Sequence, residues 1–266
     1  MLNFIRNFSP QPILLEKGLV KIHWYGLIIS LALLTGFFLF KRLALKRGLA
    51  EKHAYNLAFY LIIFGFIGAR LFHVFFYNWP YFARAPWQIF AVWNGGLAIT
   101  GGIIGGLIAL YFYAKKNQLA FWLLADLIAI VLPLSQAIGR FGNYFNQELF
   151  GLPCAYFWCL PIDSANRPEA FLLNTYFHPV FLYEAVLNLA LFFSLLWFLN
   201  VQEKKPGRIA LFYLAGYAFI RFWMEFLRLD TGVLWIGLKP LQWLSVAVIT
   251  VVIVFLANKK RKPWFS

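Results

Sequence analysis

The sequence predicts an all-α integral membrane protein with about seven transmembrane helices, an outside N-terminus and a cytoplasmic C-terminus. Three observations carry that reading. Hydrophobic residues make up 62% of the 266-residue chain and charged residues only 13%, whereas soluble domains are about half apolar and about a quarter charged. The apolar residues gather in long runs, and a membrane helix needs about 20 mostly apolar residues. The basic residues flank those runs and favour alternate loops. In that arrangement a net charge of +14 is a topology signal and a fit to anionic lipid, not a nucleic-acid surface.

The runs cover roughly 23–40, 55–77, 88–113, 120–138, 179–199, 209–227 and 241–257. Ahead of the first, "MLNFIRNFSPQPILLEKGLVKI" is broken by prolines and charges and lacks a signal peptide's continuous apolar core. The third holds "NGGLAITGGIIGGLIAL". Small residues at this spacing let helices approach closely; a broken helix lining a cavity is the alternative. The loops at 41–54, 114–119 and 200–208 and the C-terminal tail carry fourteen Lys and Arg, against eight on the other side. The positive-inside rule makes the richer side cytoplasmic, which places loop 139–178 outside. No linker or repeat divides the chain, so 1–266 reads as a single transmembrane domain. Cys154 and Cys159 share the outer loop without a metal-ligand pattern. They are free thiols or, outside the cytoplasm, a local disulfide.

Several polar residues stand where apolar ones are expected. Arg70 and Arg221 lie inside predicted spans, and an arginine at the centre of a membrane helix costs on the order of 3 kcal/mol on insertion scales. Arg70 reads as a snorkelling or ion-paired structural arginine, or as a headgroup ligand beside Tyr77. In "YAFIRFWMEFLR", Tyr217, Arg221, Glu225 and Arg228 share one helix face. Arg221 can pair with Glu225, Glu225 can also reach Arg228, and a paired guanidinium keeps donors for a phosphate.

The densest polar stretch is "GRFGNYFNQELFG", residues 139–151. If it is helical, Arg140, Asn143, Tyr144 and Gln147 share a face, and Gly139 and Gly142 permit close approach. Together with Asn146 and Glu148 this is one cation and several neutral donors at the outer end of the fourth span, suited to a lipid headgroup. Glu148 orients Arg140 or accepts a proton. In "HPVFLYEAVLN", His178 precedes Pro179 at a helix start, with Tyr183 and Glu184 a turn later. Tyr25 in "HWYG" and Tyr77 in "FFYN" sit at outer helix ends, where aromatic belts are the default.

Together these clusters resemble the prolipoprotein diacylglyceryl transferases. "GRFGNYFNQELFG" matches the signature G-R-x-G-N-x-x-N-x-E-x-x-G of that family. "WYG" (24–26), "FYN" (76–78), "WNGGLAITGG" (93–102), "HPVFLYE" (178–184) and "YAFIRFWMEFLR" (217–228) follow in family order. The resemblance implies seven spans in a bacterial cytoplasmic (inner) membrane. It also implies transfer of the diacylglyceryl group of phosphatidylglycerol to the lipobox cysteine of a prolipoprotein signal peptide, with release of glycerol phosphate. No metal or cofactor is implied. By the same resemblance Arg140 and Arg221 clamp the phosphate. Asn143, Asn146, Glu148 and Gly151 shape the headgroup pocket, and Tyr25, Tyr217 and Glu225 support it. Arg70, Tyr77 and His178 are further expected substrate contacts. One departure stands out: many members carry His where this chain has Thr100, which cannot serve as a base for the thiol. Glu148, His73 and His178 are the replacements at hand. A transporter or flippase for an anionic lipid, and a non-catalytic lipid binder, are the competing readings.

Overall fold

The apolar runs fold as helices because a backbone removed from water must bond to itself. The computed structural model of the chain describes residues 10–18, 20–201, 205–229 and 234–257. Among these, α1 is Trp24–Lys46, and α2 is Glu51–Phe72, continuing as a π turn over His73–Tyr77. The short α3 is Trp79–Arg84, α4 is Ile99–Lys116, α5 is Phe121–Phe145 and α6 is Val180–Val201. Helix α7 is Arg208–Met224 and α8 is Pro240–Ala257. Five segments are long and apolar enough to cross a membrane: Trp24–Lys46, Glu51–Tyr77, Phe121–Phe145, Val180–Asn200 and Pro240–Ala257. The chain is thus mostly helical, with two small antiparallel strand pairs that the all-α expectation did not include. They are β1 (Ile13–Lys17) with β2 (Val20–His23), and β3 (Leu160–Pro161) with β4 (Tyr176–Phe177).

Helix ends and hydrophobic ends do not coincide. The first helix runs past the expected end at 40 to Lys46, since basic residues continue a helix as readily as apolar ones. Helix α5 runs past 138 to Phe145, so Arg140 and Asn143 are helical and not part of a loop. The largest correction concerns the third run, whose helix begins at Ile99 rather than near 88. Residues 86–98 form two 3-10 turns and an extended stretch. Gly95 and Gly96 take φ of 83° and 79°, a left-handed backbone that ends any helix there.

The chain forms two compact units, 37–127 and 1–36 with 128–266. In 37–127, α2 and α4 cross with glycine against glycine. A Cβ on Gly101 would lie 2.2 Å from the Gly68 carbonyl oxygen, and one on Gly105 would lie 2.2 Å from that of Phe64. The close-packing reading of the glycine-rich run therefore holds for these positions. Beside the crossing, the buried Arg70 bonds backbone oxygens of the 86–98 segment. Its Nε donates to Ile89 (2.9 Å), Nη1 to Gly95 (2.6 Å) and Gly96 (2.9 Å), and Nη2 to Gln88 (2.6 Å) and Ala91 (3.3 Å).

In the other unit, the β1–β2 hairpin feeds α1, and Trp24 stacks on Phe145 with ring centroids 4.6 Å apart. Ser135 of α5 donates to the Ala32 carbonyl of α1 (3.0 Å). Helices α6 and α7 form a hairpin, and α8 packs on α7. Lys239 caps the end of α7, its Nζ donating to the Glu225 and Arg228 carbonyls at 2.7 and 2.9 Å. The segment 146–179 is pinned at Gly151, whose N–H donates to the His178 carbonyl (2.8 Å) and which bridges Arg228. A Cβ there would meet Val180 at 2.6 Å and the Leu227 carbonyl oxygen at 2.7 Å, so only glycine lets the three segments converge.

Candidate active site

The last two turns of α5 carry Arg140 and Asn143 on one face. Arg140 Nη1 donates to Asn143 Oδ1 (3.5 Å), and Asn143 Nδ2 donates to Glu148 Oε1 (2.7 Å). Asn146 Nδ2 donates to the same oxygen (3.3 Å), so two amides orient the Glu148 carboxylate. Gly142 faces Tyr25: a Cβ at 142 would sit 2.8 Å from the tyrosine ring. That close approach brings Tyr25 within the electrostatic reach of both Glu148 and Arg140. Asn146 and Glu148 also line an open cleft of about 620 Å³ with Asn166, Pro168 and Leu229.

Around Arg140 lies a charge cluster with Glu184 at its hub. Glu184 is buried on the first turns of α6. Its Oε2 contacts Arg140 Nη2 at 2.5 Å, and its Oε1 lies 3.4 Å from Arg221 Nη1 and 3.2 Å from Arg228 Nη1. Arg221 Nη2 is also 3.1 Å from Glu225 Oε2. Three guanidiniums therefore share the Glu184 and Glu225 carboxylates. The cluster is incompletely bonded. Arg140 Nε and both Glu225 oxygens are buried without a hydrogen-bond partner, the Arg221–Glu225 contact being close but poorly aligned. A buried donor of a charged group left unpaired is costly, and an anion supplying acceptor oxygens removes that cost. Tyr217, one turn from Arg221, stacks on Tyr213 with centroids 5.9 Å apart, and Tyr213 accepts from Gln136 Nε2 (2.9 Å).

On the loop side, His178 Nδ1 is 3.1 Å from the Tyr183 hydroxyl. Burial holds the imidazole below its usual pKa, so it is neutral at pH 7. Trp158 lies near the same hydroxyl, and Tyr156 stacks on Trp158 at 4.6 Å. Both aromatics lie on the hairpin closed by Cys154 and Cys159, which are disulfide-bonded and not free.

The structure gathers Tyr25, Arg140, Asn143, Asn146 and Glu148 with one another, and Arg140 with Arg221 and Glu225. It departs from the sequence reading elsewhere. Arg70 is neither snorkelling nor ion-paired; its five N–H groups go to backbone oxygens, leaving none for a headgroup. Tyr77 ends the π turn, exposed and stacked on His73. Gly151 shapes the backbone and presents no polar group. Gln147 leaves the Arg140 face, because α5 ends at Phe145 and Gln147 turns to φ 50°; its amide exchanges hydrogen bonds with Asp163. Arg228 bonds Glu184, not the Glu225 expected from helical spacing. Thr100 is exposed on the first turn of α4. The residue named in the sequence but given no role is Glu184. Its signal was a lone carboxylate one turn into an apolar helix, which demands a cation from elsewhere.

Comparison with known proteins bears on this cluster. The model of the prolipoprotein diacylglyceryl transferase family matches residues 12–258. The chain belongs to that family. Curated relatives named phosphatidylglycerol–prolipoprotein diacylglyceryl transferase include one from Synechococcus elongatus, 41% identical over 246 residues, covering 91% of this chain and 84% of the relative. One from Thermosynechococcus vestitus is 39% identical over 228 residues, covering 85% of each. One from Nostoc is 41% identical over 255 residues, covering 94% and 88%.

Proposed function

We propose that the chain transfers the diacylglyceryl group of phosphatidylglycerol to the lipobox cysteine thiol of prolipoproteins, as a multi-pass protein of the bacterial cytoplasmic membrane. The observation that carries the chemistry is the arginine cluster with a buried, unpartnered Arg140 Nε. A phosphodiester oxygen supplies the acceptor that this donor lacks. As the cysteine sulfur bonds to the glycerol carbon, the bond from that carbon to the phosphate oxygen breaks. Glycerol phosphate leaves with the electron pair and gains charge. Arg140 and Arg221 therefore hold the departing group more strongly than the bound lipid, and such differential binding accelerates the step. Asn143, Asn146 and Glu148 orient the headgroup hydroxyls, with Tyr25 against Gly142 as their wall. Glu225 and Tyr217 hold Arg221.

The thiol proton goes to His178 in this reading. A thiol near pKa 8.5 is mostly protonated at neutral pH, and a neutral imidazole is a better matched acceptor than a carboxylate. His178 thereby stands in for the histidine that Thr100 replaces. The seven-span topology, N-terminus outside and C-terminus cytoplasmic, is part of the same proposal. Helices α4 and α7, of 18 and 17 residues, reach about 26 Å, close to a 30 Å hydrocarbon core. The disulfide in the 146–179 segment favours an oxidising side for that loop.

The test is incubation of the purified protein with phosphatidylglycerol and a lipobox peptide, read by mass spectrometry. A diacylglyceryl thioether from the wild type, formed at least about 100-fold more slowly by Arg140→Ala or Arg221→Ala, is the expected result. Phosphatidylglycerol binding without thioether would replace the transferase with a lipid binder.

A further inference from the structure

The unpartnered polar atoms are not scattered. Among the described residues, every buried side-chain N or O without a hydrogen-bond partner belongs to Gln136, Arg140, Asn188 or Glu225. Each of these is a member of the charge cluster or stands four residues from one. Gln136 lies one turn before Arg140 on α5, and Asn188 one turn after Glu184 on α6. Asn188 is the extreme case. It is 0% exposed, and both its amide atoms lack partners. Nothing in the phosphate chemistry uses it, and a buried amide left unpaired is a liability that leucine at the same place would not carry.

Its depth gives it a ligand. Four residues of α-helix rise about 6 Å. The headgroup layer of one leaflet is about 5–7 Å thick, the difference between whole bilayer and hydrocarbon core shared between two sides. A lipid whose phosphate sits on the arginines at the level of Glu184 therefore has its acyl ester carbonyls at about the level of Asn188. Those carbonyls accept hydrogen bonds and cannot donate them. Asn188 Nδ2 is a donor without an acceptor.

We propose that Asn188 binds an ester carbonyl of the diacylglyceryl group and makes the site selective for diester over diether lipids. The inference rests on the transferase reading, because it takes the lipid's position from the phosphate clamp. The esters take no part in the bond changes, so a dialkyl ether analogue is chemically competent and differs only at this contact.

The experiment compares diester and diether phosphatidylglycerol of matched chain length, by equilibrium binding to the purified protein and by KM for thioether formation. The wild type should favour the diester roughly threefold to tenfold, the span of one neutral hydrogen bond. Asn188→Leu and Asn188→Met, which both remove the donor at similar volume, should bring that ratio to about one. Asn188→Leu should also melt no lower than the wild type, since it deletes two unsatisfied atoms. Equal use of both lipids by the wild type overturns the inference. So does a preference that survives in both variants, the result expected if Asn188 serves only an internal water or the helix packing. Absence of thioether from the wild type with either lipid is a separate outcome: it rejects the transferase reading, while the binding ratio still decides whether Asn188 reads esters.

Discussion

Around Arg70, five backbone carbonyls converge on one guanidinium. Around Arg140, Arg221 and Arg228, two carboxylates serve three guanidiniums, and some donors and acceptors stay unpaired. Both regions hold arginine in apolar helices, at a similar cost of insertion. The first repays that cost within the fold, by bonding five carbonyls of the 86–98 segment. The second leaves hydrogen-bonding capacity over. An intramembrane arginine is thus diagnostic of function only after its partners are counted.

Substitutions test that difference. The largest effect belongs to the unbalanced cluster. Arg140→Ala and Arg221→Ala should each lower thioether formation about 100-fold to 1,000-fold, the usual loss for one donor to a developing charge, measured as initial rate on folded protein. Glu184→Gln comes next. It strips the hub from three buried or half-buried cations and should cost about 3–5 kcal/mol, seen as a lower melting temperature in detergent. Arg70→Gln should destabilise by about 2–4 kcal/mol, because several carbonyls lose their donor. In the protein that remains folded, KM for phosphatidylglycerol should not change; a raised KM would restore Arg70 to the headgroup site. The smallest effect is the pH response of His178. Its pKa is lowered by burial, so the folded state binds its proton less readily than the unfolded chain. Stability from this group is complete above about pH 6.5 and declines as pH falls toward the lowered value. The acid limb of kcat/KM should fall in the same window. His178→Gln should lower the rate and remove that limb.

Much of this architecture was legible from composition and run length, which located the five described segments long and apolar enough to cross a membrane. The ends were not, because Lys41–Lys46 and Arg140–Phe145 continue helices on hydrogen bonds that hydropathy does not register. The misplaced start of α4 has a sharper cause. A run such as "AVWNGGLAI" is apolar enough for a span, but its path is set by left-handed glycines and by Arg70, whose bonds reach 21 to 26 residues along the chain to it. In the site, Arg221 and Glu225 were found because helical spacing predicts their contact. Glu184 was not, since its partners are 37 to 44 residues away in sequence and meet it only after α5, α6 and α7 assemble. The disulfide became definite once Cα atoms 6.0 Å apart were in view.

The hub at Glu184 also constrains how this protein can drift. Three cations meet one carboxylate, so replacing Glu184 alone takes from all three the acceptor they share and leaves Arg221 with Glu225, and replacing Arg228 alone shifts the balance toward negative charge. Losing Glu184 and Arg228 together removes one charge of each sign and should harm the fold less than losing Glu184 alone. Such a pair is crossed in two steps, of which the first is a valley. Lineages sharing this cluster should therefore exchange these two residues jointly or not at all.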